Sequence, residues 1–107
     1  MYLYNTTFAF DKELEKEITA WIEKHFIPSA LQDNYFMASG SKSPDVLKVL
    51  SGGDETISVA VHLFTDSLEN IKNWYADHGS RLFSEAIDRW PEKVVFFSTT
   101  LESIYAG

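Results

Sequence analysis

The chain changes its hydrophobic period from two residues to about 3.6 and back, and the order of these periods limits the folds it can adopt. Residues 2–10 alternate, which predicts a strand. One face of this strand carries Tyr2, Tyr4, Thr6, Phe8 and Phe10. Asp11 is then a candidate N-cap, and apolar residues follow at helical spacing as far as Phe26. Pro28 is expected to interrupt this helix, because it lacks an N–H donor and crowds the preceding turn, and residues 29–32 are candidates for one more short turn of helix.

The second half of the chain repeats the alternation of strand and helix. Residues 46–50 and 57–65 are predicted strands, joined by a tight reversal at residues 51–54, where two glycines accept positive φ. The second of these strands has uniformly apolar odd positions. Asp66 and Glu69 resemble a capping box, so a second helix is predicted to start there. Pro91 should end it, and residues 93–100 form a last predicted strand.

The predicted order is therefore β-α-β-β-α-β, which defines the split βαβ or ferredoxin-like arrangement. Right-handed crossovers place both helices on one face of a four-stranded antiparallel sheet. The fold class is α+β, and 107 residues are expected to form a single domain, residues 1–107.

The sheet is predicted to be apolar on both faces, although the helices cover only one of them. The last strand places Val94 and Phe96 on one side, and Val95 and Phe97 on the other. A sheet of this kind needs a second cover, and a copy of the same chain supplies one. We therefore expect a homodimer through the sheet face; the alternative is a partly apolar face that stays in contact with water.

Composition excludes several classes of function. The chain has no cysteine, which removes disulfides, Cys-ligated metals and thiol catalysis. A net charge of -7 argues against binding to nucleic acid, because an acidic surface repels phosphate backbones. The longest apolar stretches are too short to span a membrane. The N-terminal segment lacks the features of a secretory signal, so a cytoplasmic location is expected.

The three histidines are the side chains that titrate near neutral pH, and their spacing predicts no metal site and no cofactor. His62 should point away from the helices that carry His25 and His78. The densest polar cluster is residues 77–81, where His78 is a candidate base or ligand donor and Arg81 a candidate anion-binding group. The alternative is a kinked helix with a surface arginine, and the sequence favours this alternative.

Two tryptophans, Trp21 and Trp74, lie on the helix stripes that should face the sheet. They are candidates for lining a pocket for a planar ligand, or they are ordinary core residues. The predicted pocket lies between the helices and the sheet. Its candidate lining residues are Trp21, His25, Trp74, His78, Arg81 and Asn5.

Several segments of the chain resemble one protein family. These segments are residues 4–8, 21–31, 46–50, 74–82 and 93–101. They are similar to a group of small bacterial proteins classified as domain of unknown function 4286, and this resemblance implies no activity and no catalytic residue. The element order also resembles the dimeric α/β-barrel group, which includes cofactor-independent monooxygenases and stress-related binding proteins. That second likeness concerns the fold, which does not determine function.

Three hypotheses follow from the sequence. The first is a homodimeric protein that binds a small molecule or a partner without conventional catalysis, because no motif assembles a nucleophile, a base and an orienting group. The second is an enzyme resembling the cofactor-independent monooxygenases, with a pocket between helices and sheet. The third is an interaction module in which the apolar sheet face is the functional surface.

Overall fold

The computed structural model describes residues 1–50 and 55–105, and its strands and helices follow the predicted order. The strands are β1 (Tyr2–Asp11), β2 (Asp45–Lys48), β3 (Thr56–Thr65) and β4 (Val94–Glu102). They form one sheet in the order β2-β3-β1-β4, with antiparallel neighbours. The ferredoxin-like fold is thus confirmed. The predicted reversal at residues 51–54 lies outside the described residues.

Each of the two long helices contains a π-turn near its middle. The first long helix, residues 15–31, consists of α1 (Glu15–Trp21), the first π-turn (Ile22–Phe26) and α2 (Ile27–Leu31). The second, residues 68–89, consists of α3 (Leu68–Trp74), the second π-turn (Tyr75–Gly79) and α4 (Ser80–Arg89). In each π-turn a backbone N–H donates to the carbonyl five residues earlier. A π-turn therefore holds one residue more than an α-helical turn would.

The prediction that Pro28 interrupts the first helix is wrong. The helix continues through this residue to Leu31, and Pro28 lies in the first turn of α2, directly after the first π-turn. Proline is tolerated in a first turn, because its fixed φ suits the helix and an N–H there has no helical partner. The π-turn therefore provides a new helix start inside the long helix, and Pro28 occupies it.

The predicted capping box at Asp66 is also wrong. The second long helix begins at Leu68, and Ser67 is its N-cap without a side-chain capping bond. The hydroxyl of Thr65 serves this end instead, accepting from the backbone N–H of Ser67 at 3.3 Å and from the Asn70 side-chain amide at 3.2 Å. Capping here comes from the last residue of β3, which satisfies polar groups where the chain turns from sheet to helix.

Aromatic rings fill the space between the helices and the sheet. The predicted apolar row of β3 does face the helices, and the side chains of Val59, Val61 and Leu63 are buried. Phe8 of β1 is fully buried at the centre of this core. Its ring centroid lies 5.5–6.4 Å from those of Trp21, Phe26, Phe83 and Phe96. The chain's high aromatic content is thus used largely in the core, where such ring pairs add to the energy of burial.

Gly79 ends the second π-turn because a larger residue has no room there. A Cβ atom at this position would lie 2.8 Å from Cζ3 of Trp74 and 3.1 Å from Cδ2 of Tyr75. The φ of Gly79 is -60°, an ordinary helical value, so backbone freedom is not the reason for glycine. The reason is the close packing of the Trp74 ring on the helix backbone.

Candidate functional site

The two π-turns place His25 and His78 on corresponding sides of the two long helices. In a regular α-helix, the residue four positions after a buried tryptophan lies on the same face. Here the residue five positions later is buried instead, Phe26 after Trp21 and Gly79 after Trp74. His25 is consequently exposed and His78 is half-buried. The pattern Trp-x-x-x-His occurs in both helices, and this repetition is the sequence signal that points to the site.

Both histidines line a groove that runs between the long helices and opens to solvent. The groove has a volume of about 290 Å³. It is lined by Lys24, His25, Pro28, Ser29, Gln32, His78, Arg81, Leu82 and Glu85. All these residues come from the helices and the turn that follows the first one, so the groove is a helix–helix site with no contribution from the sheet.

Ser29 lies in the groove and connects it to the core. The residue is buried, and its hydroxyl donates to the carbonyl of Phe26 at 2.7 Å. The same hydroxyl accepts the indole N–H of Trp74 at 3.1 Å. The indole N–H of the fully buried Trp74 is thus directed toward the groove. Its NMR signal should therefore respond to a change in the groove.

On the second helix, His78 is held by contacts with Arg81 and with the ring of Tyr35. Arg81 Nη2 lies 3.3 Å from His78 Nδ1; because a guanidinium group only donates, Nδ1 accepts. The neutral imidazole then carries its proton on Nε2. The ring of Tyr35 packs edge-on against His78, with the centroids 5.8 Å apart. The hydroxyl of Tyr35 donates to the carboxylate of Asp77.

Arg81 lines the groove, and the two carboxylates of its own helix that could pair with it contact other groups. Asp77 and Glu85 lie four residues on either side of Arg81, where ion pairs form on a helix. Asp77 holds the Tyr35 hydroxyl, and Glu85 pairs with Arg89 at 3.5 Å. Within residues 1–50 and 55–105, neither Arg81 nor Lys24 forms a salt bridge. Two positive side chains, Lys24 and Arg81, and one carboxylate, that of Glu85, therefore line one groove of a protein with net charge -7.

The contact between Tyr35 and Asp77 should be visible in a titration. The hydrogen bond to Asp77, with smaller effects of burial and of nearby carboxylates, raises the pKa of Tyr35 from 10.0 to about 12. Since the folded-state pKa is the higher one, the contact stabilises the fold below about pH 10 and ceases to do so as pH rises through about 12. Burial also raises the pKa of Tyr4, so ultraviolet titration should show more than one late-ionising tyrosine, and the part of the curve due to Tyr35 should move to lower pH in Asp77→Asn. An unchanged curve in that variant would contradict the contact; Asp88→Asn, on an exposed turn of the same helix, is the control.

The structure brings together three of the six candidate pocket residues, His25, His78 and Arg81. Trp74 reaches the groove through its indole N–H alone. Trp21 is only 3% exposed and lies among the core rings, and its buried indole N–H has no partner in the described part of the chain. Asn5 lies on the opposite side of the sheet, where its side-chain amide donates to the Thr7 hydroxyl at 3.2 Å. A pocket-lining role for these residues stays a prediction.

A second candidate surface is the sheet face opposite the helices, called the open face below. Its side chains alternate with the buried ones in the strand register. They are Leu3, Asn5, Thr7 and Ala9 of β1, Asp45 and Leu47 of β2, Ser58, Ala60, His62 and Phe64 of β3, and Val95, Phe97, Thr99 and Leu101 of β4. Val95 is 68% exposed and Phe97 is 62% exposed. As expected from the sequence, His62 lies here and not with the other two histidines.

Neither surface carries a metal cluster. In the described ranges, no three histidine, aspartate or glutamate side chains stand close enough to hold a metal ion. None of the helices in these ranges has both the length and the apolar content that crossing a membrane requires.

Fold and sites together define a small ferredoxin-like α+β domain with a polar groove between its helices and an apolar open face. The chain belongs to the family described as "Domain of unknown function (DUF4286)", whose model matches residues 1–104. No curated protein matches the chain. The bacterial origin and the cytoplasmic location expected from the sequence stay predictions.

Solved structures similar to this chain include two de novo designed proteins. One is Foldit4, with a TM-score of 0.57 and 12% identity, covering 95% of this chain and 97% of the designed one. The other is LFR1 1, a design with ferredoxin fold solved by solution NMR, with a TM-score of 0.52 and 14% identity, covering 100% and 90% of the two chains. At this level of identity, the likeness concerns the fold alone.

Proposed function

We propose that this protein is a homodimeric binding protein in which the open faces of two subunits pack against each other. The observation that carries the proposal is the exposure of large apolar side chains on that face, with Phe97 and Val95 more than half exposed in the single chain. Leu47 and Leu101 extend the same surface, and both are also exposed. An apolar surface of this extent is characteristic of an interface.

The charge distribution favours a second copy as the occupant of the open face. The chain has 16 acidic residues, so two copies repel each other over most of their surface. Among the side chains of the open face, Asp45 at the start of the edge strand β2 carries the carboxylate, and Asp11 lies beyond them at the end of β1. The middle of the face is neutral. Two identical chains can therefore approach there with the least repulsion, as an isologous interface requires.

The size of the open face also suits a dimer. Three strands of nine or ten residues and one strand of four residues, about 4.8 Å apart and at about 3.3 Å per residue, give about 500 Å² per subunit, or about 1,000 Å² in total. This is about the minimum area expected of a specific interface. Leu50, Ile104 and Tyr105, which are almost fully exposed beyond the ends of β2 and β4, add apolar area at the margins.

The packing of the core favours binding over the alternative of a monooxygenase-like enzyme. That alternative needs a cavity between the helices and the sheet. Trp21 and Trp74, the residues expected to line it, lie with their ring centroids 6.0 and 5.5 Å from that of Phe26. A groove of the described residues does lie between the helices, and its lining is suited to holding a ligand.

Replacing Phe97 by aspartate should convert the dimer to a monomer. In an isologous interface, the change places two carboxylates in the contact, so we expect the dimer dissociation constant to rise by about 100-fold or more. The single chain should stay folded, because Phe97 is largely exposed in it. Sedimentation equilibrium at several protein concentrations measures the change.

The matched control for Phe97→Asp is Ile87→Asp, which adds the same charge at an apolar residue of α4 that is 52% exposed. This variant should associate as the original chain does. The proposal fails if the original chain sediments as a monomer at every concentration, or if both variants weaken association equally.

A further inference from the structure

We propose that the groove between the two long helices binds a small molecule carrying a phosphate monoester. The site lies on the helices, so it does not depend on the packing of open faces described above. Lys24 comes from the first helix and Arg81 from the second, and both line the groove without a carboxylate partner in the described residues. Together they can neutralise the two charges of a phosphate monoester dianion.

Three of the side chains that line the groove, those of Lys24, His78 and Arg81, can donate hydrogen bonds to a ligand. Arg81 presents a planar fork of N–H groups, and Lys24 adds an ammonium group. The contact with Arg81 occupies Nδ1 of His78, which leaves the Nε2–H of that ring as a further donor. A phosphate group offers three oxygens that accept in different directions, so it can use donors from both helices at once. A carboxylate, with two oxygens in one plane, would leave some of these donors without a partner.

The dimensions and the remaining polar residues indicate more than inorganic phosphate. A volume of about 290 Å³ is at the lower end of the range for small-ligand sites, which suits a phosphorylated molecule of a few carbon atoms. Gln32 and Glu85 also line the groove and can bond the hydroxyl groups of such a molecule. The single carboxylate of Glu85 is drawn toward Arg89, so its charge is partly balanced.

The two π-turns are an independent reason to assign a ligand to this groove. π-Turns are rare, and they occur frequently at functional sites because they disturb the regular helix at a defined point. Both π-turns of the described chain contribute a histidine to the same groove. Ser29 has its hydroxyl fixed by Phe26 and Trp74, so that part of the groove is already ordered before a ligand enters.

The test is an NMR titration of the full chain with glycerol 3-phosphate at constant ionic strength. We expect saturable shifts of the backbone amides of residues 24–32 and 78–85 and of the Trp74 indole N–H, with a dissociation constant of about 1 mM or lower. Arg81→Gln should weaken binding about tenfold, as should Lys24→Gln, because each removes a charged donor.

The controls remove the same charge from the same helices outside the groove. Lys72→Gln matches Arg81→Gln, and Lys16→Gln matches Lys24→Gln; both should keep the original affinity. The proposal is overturned if glycerol 3-phosphate gives no saturable shift, or if the control variants lose as much affinity as the groove variants. Equal binding of acetate would overturn the assignment to phosphate, and equal binding of inorganic phosphate would overturn the role of the organic part.

Discussion

Replacement of Phe8 by alanine should lower the free energy of unfolding by about 3–5 kcal/mol, the usual effect of removing a buried aromatic ring. Phe8 is fully buried, and four other rings surround it. The cavity cannot close easily, because these neighbours come from both helices and from β4. Denaturation with urea, followed by circular dichroism, measures the change.

Two further variants keep the Phe8 measurement interpretable. Phe8→Leu fills most of the space and should cost less than about 2 kcal/mol, so it remains measurable if the alanine variant does not fold. Ile87→Ala removes an apolar side chain of similar size from the exposed side of α4, and it should change stability by less than about 0.5 kcal/mol. A loss of less than about 1 kcal/mol for Phe8→Ala would show that this ring is not the centre of the core.

Replacement of Gly79 by alanine should destabilise the fold by about 1–3 kcal/mol, the range for overpacking a tight site. In an ordinary helix interior the same change stabilises by up to about 1 kcal/mol, since alanine favours the helix. The sign is reversed here because the new Cβ atom would lie 2.8 Å from a carbon of the Trp74 ring. That ring is fully buried and cannot move aside freely.

The partner of Gly79 can be tested in a double-mutant cycle. Trp74→Phe removes the two Trp74 ring atoms that the new Cβ atom would meet, at its own cost in burial, and leaves the approach to Tyr75 at 3.1 Å. In this background, Gly79→Ala should cost less than in the original chain. Equal costs in both backgrounds, measured by urea denaturation, would show that the contact with Trp74 is not the cause.

The sequence predicts the fold well because the fold follows from hydrophobic period, which is a local property. Residues 2–10 and 57–65 alternate clearly, and their register in the sheet follows from that alternation. The predicted placement of His62 away from the helices follows from the same rule. The ends of helices and strands are harder to predict from the sequence, and the wrong cap at Asp66 is an example. A cap depends on which of several nearby polar groups reaches a backbone N–H.

The site could be predicted only in part, because neither long helix keeps a constant helical period. With 3.6 residues per turn, His25 and His78 belong to the buried stripes, close to Trp21 and Trp74. The added residue of each π-turn rotates the rest of the helix by about 100° and moves both histidines toward solvent. Three of the six predicted pocket residues thus line the groove. The groove itself lies on the outer side of the helices, whereas the predicted pocket lay between the helices and the sheet.

A one-residue deletion should be tolerated in the second π-turn and not in the first. A one-residue deletion between Trp74 and Gly79 would restore the spacing of four residues and allow a continuous α-helix, with both core residues still on one face. The same deletion in the first helix would place Pro28 in a helix interior, where its ring clashes with an earlier carbonyl. Insertions and deletions among relatives should therefore be found at the second π-turn and not at the first, so that the groove can vary on one side while the core and the sheet remain the same.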